Sequence, residues 1–213
     1  MPEITAWLVD LASSPWLIPA LFLLVVGDAF LVVLPSETVV VALAALAAAT
    51  GEPSLVLVVP VAASGAVVGD LLCYLIGRRV GVDRWAWQRR GRVAAAIGRV
   101  RDAVRTRPAV LIFTARYIPF ARIAVNLSAG AVGLPLPRFL PLSAMAGTAW
   151  ALYNVGVGAA FGTLLRDYPV LAILVSIAAA AGLGIAVDTV TRRIAAARAG
   201  RIATRDQPSS RAR

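Results

Sequence analysis

Histidine and lysine are absent from the 213 residues, and cysteine occurs once, at Cys73. Without histidine there is no Ser-His-Asp triad, no His-based phosphatase and no His-ligated zinc. A lone thiol cannot close a disulfide within the chain, and no ligand cluster surrounds it for a metal. No metal and no cofactor is expected. Basic residues are also missing from the first 50 positions, which carry Glu3, Asp10, Asp28 and Glu37 instead. The opening MPEITAWLVDLASSP (1–15) lacks the basic n-region of a signal peptide, so the mature protein is expected to keep it. All 21 cations are arginine. With the abundant Ala and Val, this reads as GC-rich codon usage rather than a functional choice.

What is present is apolar. Hydrophobic residues make up 60% of the chain and mean hydropathy is +0.82, against ~45–50% apolar for a soluble domain. The chain therefore reads as a polytopic membrane protein of one domain. Its arginines form two blocks, ten in residues 78–107 and seven in the tail 192–213. By the positive-inside rule both blocks face the cytoplasm. The net charge of +10 then reports topology and contact with inner-leaflet anionic lipids. No aromatic-basic interleaving accompanies it, so nucleic acid is not an expected partner.

Residues 54–77, 139–163 and 169–190 each match the ~20 residues that span a bilayer. Two spans after the basic loop return the chain to the same side only if 108–134 does not cross. That segment holds Pro119 between Arg116 and Arg122. Proline breaks a helix, and broken backbone at membrane depth needs protein or a watery cavity around it. A re-entrant hairpin entering from the cytoplasm is expected, its tip near Ile118–Pro119. Residues 16–50 repeat the shape, with Asp28 and Pro35-Ser36-Glu37 interrupting about 35 apolar positions. Ser36 is a candidate cap for a helix beginning at Glu37 or Thr38, and Glu37 suits its positive end.

The expected fold class is an all-α membrane protein: two opposed re-entrant helical hairpins in inverted repeat, with about three full transmembrane helices. An N-terminal segment (1–15) precedes a transmembrane domain over 16–190. That domain comprises hairpin 1 (16–50), helix 54–77, a basic amphipathic cytoplasmic segment (78–107), hairpin 2 (108–134) and helices 139–163 and 169–190. A basic cytoplasmic tail (191–213) follows. Direct support for internal symmetry is slight: SGAVVGDLLCYLIG (64–77) and SAMAGTAWALYNVG (143–156) share small residues, a Tyr and a closing Gly.

Ionisable residues at membrane depth are few: Asp28, Glu37, Asp70, Arg116 and Arg122. Opposed hairpin tips would bring acids and arginines together, and pairing is what makes such charges tolerable. Arg116 and Arg122 are candidate phosphate- or carboxylate-binding forks. Asp28, Glu37 and Asp70 are candidate charge partners and proton carriers, and Pro35, Ser36 and Pro119 are candidate hairpin-tip residues. The competing reading makes Arg116–Glu37 and Arg122–Asp28, or the swapped pairs, fold-fixing only. Asp70 has a second option, a hydrogen bond to Tyr74 one turn on.

Weaker signals complete the chain. Residues 91–107 read as an amphipathic helix with Val93, Ile97, Val100 and Val104 in one stripe, lying on the inner leaflet. Gly65 and Gly69 form a GxxxG suited to close helix contact. Trp85 and Trp87 read as interfacial anchors. The NLS at 126–128 has the form of a glycosylation sequon but lies at membrane depth, where it has no meaning.

ARYIPFARIAVNLSAG (115–130) resembles the R-[FY]-x-P-x-x-R-x-x-x-x-x-x-A-G signature of the DedA family, also called the SNARE-associated or VTT-domain family. DAFLVVLPSE, GAVVGDLLCYLIGRRVG and RFLPLSAMAGTAWALYNVGVGAAFG resemble its other motifs, and together they cover roughly residues 16–163. Asp28 stands where the family commonly has Glu, Val32 replaces the first proline of P-x-x-P, and Phe120 fills a position often held by Gly. The resemblance implies a transporter with two facing re-entrant hairpins. It also implies dependence on the proton motive force in bacteria, and undecaprenyl phosphate or phospholipid as cargo. The family's essential acids map to Asp28 and Glu37, its essential arginines to Arg116 and Arg122.

The leading expectation is a bacterial inner-membrane transporter that moves a polyprenyl phosphate, or another anionic lipid, with proton coupling. A proton-coupled cation or drug antiporter, a phospholipid scramblase and a non-transporting scaffold are the alternatives. A homo-oligomer stays open. No enzyme is expected, because no nucleophile–base pair or metal site can be assembled.

Overall fold

A computed structural model describes residues 10, 12–31, 35–81, 90–116, 118, 120–165, 167–168, 170–182 and 189. Among them the regular structure is helical. In chain order the helices are α1 (Leu17–Asp28), α2 (Ser36–Thr50), α3 (Leu55–Val80), α4 (Gly91–Thr106), α5 (Pro108–Ala115), α6 (Ala121–Ala131), α7 (Leu136–Leu164) and α8 (Val170–Gly182). Residues 1–180 form one compact unit and 181–213 a second, of which Ala181, Gly182 and Thr189 are described.

Both segments expected to reverse are broken helices. The first break separates α1 from α2 and the second, Arg116–Phe120, separates α5 from α6. Pro119, the expected tip, and Tyr117 lie outside the described residues, as do Val32, Val33 and Leu34 of the first break. Phe120 shows why the family position suits glycine: its φ is +63°, where a Cβ is disfavoured.

The start of α2 differs from expectation. Pro35 occupies the N-cap and Ser36 is already the first helical residue. The Ser36 hydroxyl is carried into the protein interior and caps nothing; it has no hydrogen-bond partner among the described residues.

The 26-residue α3 is long and apolar enough to cross a membrane, the one helix of which this holds among the described residues. At 29 residues α7 is longer still, but Arg138, Ser143 and Asn154 dilute its apolar character. Of the expected helix 169–190 residues 170–182 and 189 are described. Large apolar side chains such as Leu23, Val56, Met145, Leu152 and Leu174 are exposed, as on a surface that meets lipid rather than water.

The helices pack crosswise between the halves of the chain. α2 packs chiefly on α7, α6 chiefly on α3, and α3 and α7 touch each other. Glycine permits both exchanges by letting backbones meet. A Cβ on Gly77 or Gly130 would collide with the α6 or α3 backbone, and one on Gly158 or Gly162 with the α2 backbone. The α7 glycines that meet a partner backbone as Gly77 does are therefore Gly158 and Gly162. The sequence alignment had set Gly77 against Gly156, whose added Cβ would meet open space. A two-residue shift along a helix changes which face a glycine occupies. Gly65 and Gly69 do mediate contact as expected, against Phe22, Val25, Val26 and Ala29 of the α1 segment.

Candidate functional site

Five elements deliver charge to one region between α3, α6 and α7. Asp28 is the last residue of α1, Glu37 lies in the first turn of α2, and Asp70 sits midway along α3. Arg116 closes α5, and Arg122 is the second residue of α6.

Asp70 is the hub. Its Oδ2 accepts from Arg116 Nη1 at 2.8 Å and from Ser143 Oγ at 2.8 Å, and its Oδ1 accepts from Asn126 Nδ2 at 2.8 Å. The Arg116 and Asp70 side chains are 2% and 1% exposed, so this pair is sealed. Burying two charges is costly, and the three short bonds on one carboxylate are what offset it. The indole of Trp150 lies 5.5 Å from the Arg116 guanidinium carbon and adds a cation–π contact.

Arg122 is differently placed. Its Nη2 donates to Asp28 Oδ2 at 3.0 Å, and its Nε stands 3.9 Å from Asp70 Oδ1. Side-chain exposures of 15% and 14% leave the Arg122–Asp28 pair partly open. Glu37 is exposed and makes no ion pair among the described residues; its Oε1 accepts from the Trp150 indole N–H at 3.3 Å. The order is Asp28, Arg122, Asp70, Arg116, Trp150, Glu37, with three carboxylates to two guanidiniums.

All five charged candidates thus belong to one constellation, with the partners rearranged. Arg122–Asp28 is made as one of the two expected pairings has it. Arg116 meets Asp70 rather than Glu37, because α3 rather than α2 faces the second break. The alternative of Asp70 bonding Tyr74 fails for the same rotational reason. Tyr74 points away, donates to the Leu134 carbonyl, accepts from Arg78 Nη1 at 2.8 Å and stacks on Phe139. Pro35 is exposed at the mouth of the first break and Ser36 is buried beside it.

Asn126, Ser143 and Trp150 were not singled out from the sequence. Asn126 belongs to the sequon pattern, yet it lies four residues after Arg122, on the same helical face. Ser143 and Trp150 lie about two and four turns into α7; Trp150 falls in the RFLPLSAMAGTAWALYNVGVGAAFG stretch that resembles a family motif, whereas Ser143 carries no signal beyond being polar in an apolar run.

A membrane protein built around a shared ion network between two broken helices is the class this arrangement defines. The VTT domain model matches residues 34–160, more than half of the chain. The chain belongs to the VTT-domain (DedA) family. It is similar to the inner membrane protein YohD of Escherichia coli, 31% identical over 132 residues, covering 62% of this chain and 67% of that protein. An uncharacterized membrane protein of Mycobacterium tuberculosis is 36% identical over 148 residues, covering 62% and 66%. An alkaline phosphatase-like protein of Lactococcus lactis is 28% identical over 150 residues, covering 64% and 70%. No solved structure matches the chain.

Proposed function

We propose that the protein carries the phosphate head group of a lipid, a polyprenyl phosphate foremost, across a bacterial inner membrane, and that protons drive the exchange. The two broken segments enter the bilayer from opposite faces as re-entrant hairpins, and the basic loop and C-terminal tail lie in the cytoplasm. Helix length supports this arrangement. α1, α2, α5 and α6 have 12, 15, 8 and 11 residues. At ~1.5 Å per residue each falls short of the ~30 Å hydrocarbon core.

The observation that carries the reading is the Arg122–Asp28 pair. Arg122 stands in the first turn of α6, at the end that attracts anions, and Asp28 ends α1, at the end that repels them. Each charge opposes its own helix, at a cost of about 0.3–1 kcal/mol. A phosphate in place of Asp28 would keep the guanidinium fork and satisfy the positive end of α6. Asp28 is then a resident anion that a phosphate displaces, while Arg116, sealed against Asp70, holds the frame. Glu37, exposed and in excess over the arginines, is the carboxylate placed to exchange protons, and protonating it or Asp28 releases negative charge from the cluster. The site binds and moves its cargo rather than transforming it; the name of the Lactococcus relative describes that protein.

A second reading, a proton-coupled cation or drug antiporter, is favoured by that same excess carboxylate. Proteoliposomes separate the two. Lipid transport gives movement of a polyprenyl phosphate between leaflets, whereas antiport gives collapse of a pH gradient when cation is added. In the first assay Arg122→Lys keeps the charge but loses the fork. It is expected to fold normally and to lose about tenfold or more in transport. Full activity of Arg122→Lys would sink the phosphate-fork reading.

A further inference from the structure

The amphipathic helix α4 is seated unevenly. At its C-terminal end Val104 is 2% exposed and joins the apolar cluster of Ile112 and Ala129. One turn earlier Val100 is 41% exposed. There Ile97 and Val100 stand off from the bundle and border a cavity of about 420 Å³, shared with Ile76 and Val80 of α3 and Leu127 and Ala131 of α6. The volume lies within the ~300–1,000 Å³ of small-molecule sites. Among the described residues Ser128 is the one polar side chain in its wall.

The surroundings are cationic. Arg79 adjoins Val80 and Arg99 adjoins Val100 in the chain, and both arginines are exposed. α4 also carries Arg101 and Arg105 against a single acid, Asp102. An apolar slot with exposed arginines next in the chain to two of its wall residues suits one molecule with both characters, a hydrocarbon chain for the slot and a phosphate for the arginines.

We propose that this cavity holds one hydrocarbon chain of an anionic phospholipid, with Arg79 and Arg99 on its phosphate. The lipid wedges α4 at the opened half of its stripe and ties the basic segment to the membrane. The site is separate from the ion network. Gly77 lies seven residues beyond Asp70, about 10 Å along α3, so lipid can occupy the slot whatever the network transports.

The test uses the full chain in proteoliposomes with a phosphatidylglycerol bearing a photoreactive diazirine in its acyl chain, compared with a matched phosphatidylcholine. The anionic probe is expected to label the peptides around Ile97–Val100 and Leu127–Ala131 at least about fivefold more than the zwitterionic one. Val100→Trp fills the slot from its exposed side and should remove that excess. Arg79→Gln with Arg99→Gln should also remove it while leaving the apolar walls intact, so it reports even if the tryptophan variant misfolds. Equal labelling by both lipids overturns the proposal. So does labelling at Val56 and Leu57 as strong as in the slot, or cross-linking between two copies of the chain at Val100.

Discussion

Arg116 and Arg122 are six residues apart on either side of one helix break, carry the same charge and face the same aspartate, yet they occupy different environments. Arg116 is sealed with Asp70 at 2.8 Å, both nearly without exposure. Arg122 keeps its shortest contact with Asp28 at 3.0 Å, and that pair is partly open. The difference comes from the elements around them. Arg116 sits under α3 and α7, which supply Asp70, Ser143 and Trp150, whereas Arg122 looks toward the end of α1 and the first break. One break thus carries a sealed charge and a partly open one, and the exchange proposed above rests on that difference.

The strongest way to break this comparison is to remove each acid in turn. Asp70→Ala leaves Arg116 buried against a lost partner and should cost about 3–5 kcal/mol. Asp28→Ala, at the open pair, should cost only about 1 kcal/mol. Unfolding of the purified variants in detergent measures both, and equal losses would erase the distinction drawn here. Gly130→Ala comes next. Its Cβ would meet the Tyr74 backbone, prising α6 from α3 and loosening both pairs together, for about 1–3 kcal/mol of destabilisation; Gly156→Ala should be neutral beside it. The smallest effect belongs to Phe120→Gly. That residue is 70% exposed with φ +63°, so glycine removes about 1 kcal/mol or more of backbone strain, partly offset by unfolded-state entropy. A clear loss of stability would show that the Phe120 ring packs on something the second break needs.

Much of this was legible along the chain because breaks and charges are local facts. Pro35, Pro119 and the charges beside them interrupt runs that apolar content alone would have continued. α3 could be counted directly, and its observed span, Leu55–Val80, extends past the expected 54–77 because Arg78 and Arg79 suit the last turn of a helix. Arg122 with Asp28 was one of two stated pairings. The role of Asp70 was not legible. A carboxylate in a helix reads the same whether it turns toward Tyr74 on its own helix or toward Arg116 on another segment. Asn126 is readable in principle from its spacing to Arg122, which puts both on one face of α6.

Residue order by itself determined that this chain is apolar enough for a membrane, where its helices break, and which five charges must find partners there. Those follow from composition and from backbone chemistry acting over a few residues. Only the tertiary structure decided which charges pair, which pair is closed off, and that Gly158 and Gly162 rather than Gly156 meet the α2 backbone. Those outcomes depend on the rotation and depth of one helix against another, set by the summed packing of residues far apart in the chain.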